Sequence, residues 1–87
     1  MPYNIKFSPQ AAKQFGKLDK QSKQAIAKYL DKILEAESPY DFGKPLASNL
    51  SGLWRYRVSK YRVICDIHND ELIIEVITLG KRDKVYI

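Results

Sequence analysis

Tyr3-Asn4-Ile5-Lys6-Phe7 alternates apolar and polar positions with a period of two, which predicts a strand with Tyr3, Ile5 and Phe7 turned towards a core. Ser8-Pro9 then supplies a helix N-cap and a proline at the first helical position, and Ala12, Phe15 and Leu18 recur on one helical face. Gly16 shortens this helix, and Asp19 is placed to cap another. From Asp19 to about Glu37 the residues Ile26, Leu30, Ile33 and Leu34 stand at i, i+4, i+7 and i+8, with Tyr29 beside them. That spacing predicts an amphipathic helix. Ser38-Pro39 ends it, and Pro39, Gly43, Pro45 and a Ser-Asn pair predict a loop to Ser51.

Three β-rich stretches follow in quick succession, Leu53 to Ser59, Tyr61 to His68 and Glu71 to Leu79. They stand too close together for helical crossovers, so they form an antiparallel meander. With Ser59-Lys60 as a two-residue hairpin loop, Val58 opposes Tyr61, Arg57 opposes Arg62, Tyr56 opposes Val63 and Arg55 opposes Ile64. Opposed residues share a face. One face then carries Trp54, Tyr56, Val58, Tyr61, Val63 and Cys65, the side that the helices cover. The other carries Arg55, Arg57 and Arg62. With Asn69-Asp70 as the second turn, Leu72, Ile74 and Val76 join the apolar face, and Ile73, Glu75 and Ile77 the arginine face. The expected fold is α+β: an antiparallel four-stranded sheet with two N-terminal helices packed on one face, in the order β-α-α-β-β-β, as a single domain over residues 1–87.

The length of 87 residues excludes a two-domain enzyme, and 45% hydrophobic with 29% charged residues is the composition of a folding chain. No apolar run reaches the ~20 residues that cross a bilayer and the N-terminus lacks a signal-peptide core, so no membrane association and a cytoplasmic location are expected. One cysteine, Cys65, makes no intrachain disulfide, and one His with one Cys cannot supply a Cys/His zinc site. Neither a metal nor another cofactor is expected. The net charge is +5, and no acidic residue occurs from Phe42 to Cys65, whereas Lys44, Arg55, Arg57, Lys60 and Arg62 all do. Lys81, Arg82 and Lys84 form a second basic cluster. Three guanidinium groups on neighbouring strands repel one another unless an anion joins them, which points to a polyanionic or acidic partner.

The string Leu53-Trp54-Arg55-Tyr56-Arg57-Val58-Ser59-Lys60-Tyr61-Arg62-Val63, with Leu50-Ser51-Gly52 before it and Gly80-Lys81-Arg82-Asp83-Lys84-Val85-Tyr86 near the end, resembles the RelE/ParE superfamily of toxins, in its RelE-like branch. The element order agrees from residue 3 to 86. The resemblance implies the toxin of a type II toxin–antitoxin system, held in a hetero-oligomer by an acidic, RelB-like antitoxin. It also implies a metal-independent endoribonuclease that cuts mRNA in the decoding site of the ribosome, with contacts to 16S ribosomal RNA. The alternative, from the ParE branch, is a DNA gyrase inhibitor that hydrolyses nothing. A purely DNA-binding module acting as half of a repressor complex is a third reading.

By the same resemblance Arg57, Arg62, Arg82 and Tyr86 are the catalytic candidates, and Arg55, Lys60, Lys81 and Lys44 the RNA-binding ones. Arg62 and Arg82 would clamp the scissile phosphate with permanently charged, bidentate groups, and Tyr86 would stack on a base. Arginines are poor proton acceptors, so the base stays open between Lys81, Glu75 and an electrostatically activated 2′-OH. His68 stands at the far hairpin beside Asn69-Asp70 and is expected to be a solvent-exposed turn residue. Trp54 and Tyr56 are expected to pack under the helices, and Cys65 to be a small buried hydrophobe.

Overall fold

A computed structural model describes residues 2–46 and 52–81 of the chain. The order is β1 (Asn4–Phe7), α1 (Pro9–Gly16), α2 (Lys20–Glu35), a 3₁₀ turn (Pro39–Asp41), β2 (Lys44–Pro45), β3 (Leu53–Val58), β4 (Tyr61–His68) and β5 (Ile73–Lys81). The helix starts follow their local chemistry. The Ser8 hydroxyl accepts from Ala11 N at 3.0 Å while donating to Ile77 O at 2.9 Å, so one side chain caps α1 and ties it to β5. Asp19 caps α2 by accepting from Ser22 N at 3.2 Å. Those hydrogen bonds from Ser22 hold the Asp19 carboxyl below its ordinary pKa.

The sheet corrects the expected fold. It is a five-stranded mixed sheet in the order β1-β5-β4-β3-β2, not a four-stranded antiparallel one. β1 runs parallel to β5, with Ile5 beside Ile74 and Phe7 beside Val76. A period of two tells which residues face the core and nothing about strand direction. Direction is set here by the helices, which carry the chain from β1 to the far edge, from which the antiparallel meander β3-β4-β5 walks back to β1. The fifth strand is β2, a two-residue edge strand on β3. Pro45 lacks an N–H and argues for a loop, but an edge position tolerates it.

The first hairpin has the expected register, with Val58 opposite Tyr61 and Arg57 opposite Arg62, and Ser59 takes a positive φ of 55° in its turn. The second differs. His68 opposes Ile73, so four residues connect the strands, and Leu72 sits exposed at φ 55° instead of joining the core. A register shift at Ile64/Cys65 leaves Ile77 unopposed, and Leu79 returns to the core opposite Val63.

Ile26, Leu30 and Ile33 of α2 pack with Ala11 of α1 against Tyr56, Val58, Tyr61, Val63, Cys65, Ile74, Val76 and Leu79 of the sheet. Ala11, not the expected Ala12, is the buried alanine of α1. Phe7 meets Phe15 edge-on with ring centroids 5.4 Å apart, joining β1 to α1. Tyr56 and Cys65 are fully buried, as expected, and burial pushes both the phenol and the thiol up in pKa. A neutral thiol in the core is no nucleophile.

Candidate functional site

The strand pleat turns Trp54, Tyr56 and Val58 of β3 towards the helices and delivers Arg55 and Arg57 to the other face. Hairpin pairing then places Arg62 directly across from Arg57. On the outer side of β3, Lys44 pairs with Arg55. Lys44, Arg55, Arg57 and Arg62 thus share a sheet face, and with Gly43 and Tyr56 they line a cleft of about 210 Å³.

Gly43 is what lets β2 approach. It takes φ 77°, and a Cβ there would stand 2.7 Å from Trp54 Nε1 and 2.8 Å from Tyr56 Cδ1, besides colliding with Arg55 O. Only glycine combines that conformation with that spacing. The two aromatic side chains that point away from the arginines hold the same segment from below. Trp54 Nε1 donates to Phe42 O at 2.7 Å, and the Tyr56 hydroxyl donates to Pro39 O at 2.6 Å. Lys32 of α2 closes over the Phe42 ring at 4.5 Å. Sequence reasoning missed Gly43. Its signal was a lone glycine before Lys44 in the acid-free stretch.

Among the described residues no carboxylate lies within ion-pair distance of Arg55, Arg57 or Arg62; the ion pairs all gather on His68. Opposed like charges such as Arg57 and Arg62 weaken a sheet. The cluster therefore gains from an anion that bridges its guanidinium groups, each a planar fork matched to phosphate or carboxylate.

The remaining candidates are placed differently. Lys60 stands exposed in the β3–β4 turn, its ammonium 5.8 Å from the Tyr61 ring centre. Lys81 ends β5 opposite Tyr61, so by register it leaves the sheet on the helix side. Arg82 and Tyr86 lie outside the described residues. Glu75 is paired with Asp66 across β4–β5 and its carboxylate stands 3.3 Å from His68 Nε2. It belongs to the end of the sheet away from Arg62, which removes it from the choice of base. His68 is far from the arginines, as expected, but it ends β4 half-buried among carboxylates instead of standing free in the turn. Glu75 accepting from its ring, with Asp66 and Glu71 nearby, raises its pKa.

Residues 5–86 match the family model of the ParE toxin of type II toxin–antitoxin systems. A RelE-like toxin protein of Escherichia coli is 32% identical over 89 residues, covering 97% of this chain and 87% of that protein. Toxin RelE of Mycobacterium tuberculosis is 28% identical over 98% of this chain and 87% of its own length. Among solved structures, the toxin–antitoxin complex RelBE2 of Mycobacterium tuberculosis contains a chain that superposes with a TM-score of 0.82 at 26% identity, covering 94% of this chain and 100% of that one.

Proposed function

The chain belongs to the ParE toxin family of type II toxin–antitoxin systems, and from that membership and its cationic cleft we propose that this toxin is a ribosome-dependent endoribonuclease that cuts mRNA. The observation that carries the reading is the convergence of Lys44, Arg55, Arg57 and Arg62 on the sheet face opposite the helices, with no described carboxylate to neutralise the arginines. An exposed cationic cleft of this size accepts a phosphodiester backbone.

The reaction forms a bond from the 2′-oxygen to phosphorus and breaks the bond from phosphorus to the 5′-oxygen; the 2′-OH proton passes to solvent water, a solvent proton completes the 5′-hydroxyl end, and the other end keeps a 2′,3′-cyclic phosphate. Negative charge grows on the non-bridging oxygens as this happens. Arg62 and Arg57, opposed across the hairpin, supply fixed donors for those oxygens, and Arg55 and Lys44 hold the adjoining backbone. Guanidinium groups keep their protons and take none from the 2′-OH. Their field makes the attacking oxygen easier to deprotonate. Arg82 as a second clamp and Tyr86 as a stacking residue complete the proposed set, with Lys60 at the hairpin tip; Lys81, on the helix side, stands apart from it. The nuclease is proposed to need no metal.

An acidic antitoxin is the proposed partner. Toxin–antitoxin complexes are known for proteins of this fold, including RelBE of Escherichia coli, which contains a chain with a TM-score of 0.74 at 20% identity. The +5 charge and the arginine cluster suit an acidic segment that folds on binding. The family model's ParE name favours a second reading, inhibition of DNA gyrase without hydrolysis. Incubating purified chain with translating ribosomes and mapping message ends, beside a supercoiling assay, separates the two. Ribosome-dependent cleavage with intact supercoiling is expected. Intact message with blocked supercoiling would establish the other reading.

A further inference from the structure

Asp66 and Glu75 oppose each other across β4–β5, and His68 stands two residues beyond Asp66 on the same strand face. His68 Nε2 lies 3.3 Å from Glu75 Oε1 and 3.5 Å from Asp66 Oδ2. One nitrogen therefore faces two carboxylates with at most one proton to share between them. Both separations also exceed the roughly 2.7–2.9 Å of a charge-assisted hydrogen bond. They lie close to the spacing between ligands about 2.0 Å from a tetrahedral zinc ion, which stand about 3.3 Å apart.

We propose that Asp66, His68 and Glu75 bind a divalent transition-metal ion of the zinc type. One ligand atom from each lies within 4.8 Å of the others, the two carboxylates supply the negative charge, and the imidazole selects against magnesium and calcium. The other ring nitrogen, Nδ1, stands 4.0 Å from Glu71 Oε1. At that distance Glu71 adds negative charge beside the ring without a hydrogen bond to it. The turn is held as well: the Tyr3 hydroxyl donates to Asn69 Oδ1 at 2.6 Å, and Asn69 Nδ2 donates to the Tyr40 hydroxyl at 3.0 Å. Lys6 is the strand neighbour of Glu75 on β1 and forms no ion pair with it among the described residues. The bound ion fastens β4 to β5 and relieves the repulsion between Asp66 and Glu75. The composition excludes a Cys/His zinc site, and carboxylates fall outside that exclusion.

The site is about 13 Å along β4 from Arg62, four residues at strand spacing, so it is separate from the cationic cleft. Its test needs no nuclease assay. Tag-free full-length chain is titrated with zinc chloride against a chromophoric chelator, and the ring signals of its single histidine are followed by NMR. Uptake of about one equivalent is expected, with the His68 ring signals saturating at the same point. His68→Gln and Asp66→Asn should weaken binding by about 100-fold, and the exposed control Glu35→Gln not at all. If a variant fails to fold, the His68 signals of the unaltered chain still decide. No uptake, unmoved His68 signals, or equal affinity in His68→Gln would overturn the site.

Discussion

Arg62 carries the most specific expectation at the scale of single residues. If its guanidinium stabilises charge developing on the phosphoryl oxygens, Arg62→Ala lowers single-turnover cleavage about 100-fold, while ribosome binding changes far less. Lys60 is exposed at the hairpin tip and contributes only diffuse attraction, so Lys60→Ala weakens ribosome association in a salt-dependent way and leaves the cleavage step nearly intact. Quenched-flow cleavage and ribosome co-sedimentation at several salt concentrations check the pair. Asp19 gives a pH-dependent expectation of known sign. Its carboxyl has a lowered folded-state pKa, so its contribution is present above the unfolded value and disappears as pH falls through the folded one. Asp19→Asn keeps a capping oxygen and loses this titration. Acid unfolding followed by circular dichroism should show the stability gap between wild type and Asp19→Asn closing as pH falls through the ordinary carboxylate range and below it.

Elements show how far the sequence alone reached. The arginine face was legible because a two-residue loop at Ser59-Lys60 sets the register, and the pleat then separates Arg55, Arg57 and Arg62 from Trp54, Tyr56 and Val58. The direction of β1, the edge strand Lys44–Pro45 and the unopposed Ile77 were not legible. Each depends on tertiary pairing that local propensity and periodicity do not encode. The cleft was legible only in part for the same reason: Lys44 stood out by charge, but the glycine that brings it beside Arg55 is visible only once β2 pairs with β3. Gly43→Ala should therefore detach this edge, forcing a Cβ against Trp54 and Tyr56 at a positive φ. A fall in thermal stability equivalent to about 1–3 kcal/mol, with faster amide exchange at Leu46, whose N–H donates to Leu53 O at 3.0 Å, is the expected outcome. Ser8→Ala removes the cap of α1 together with its tie to Ile77, and should cost about 1–2 kcal/mol in denaturant unfolding.

Across the whole molecule, the sheet face opposite the helices divides by charge, with the guanidinium groups at one end and Asp66, Glu75 and Glu71 around His68 at the other. The end bearing arginines fits a polyanion, and the opposite end a cation. Among the described residues no helix is long and apolar enough to cross a membrane. The measurement that bears most directly on the nuclease reading is the mapping of 5′-hydroxyl ends in a defined message, with and without ribosomes, for the wild-type chain and Arg62→Ala. A ribosome-dependent nuclease produces new ends only when ribosomes are present, and Arg62→Ala, still bound to ribosomes, produces about 100-fold fewer in a single turnover. Ends that form equally fast with Arg62→Ala, or a message left whole on ribosomes that carry the wild-type chain, would contradict it.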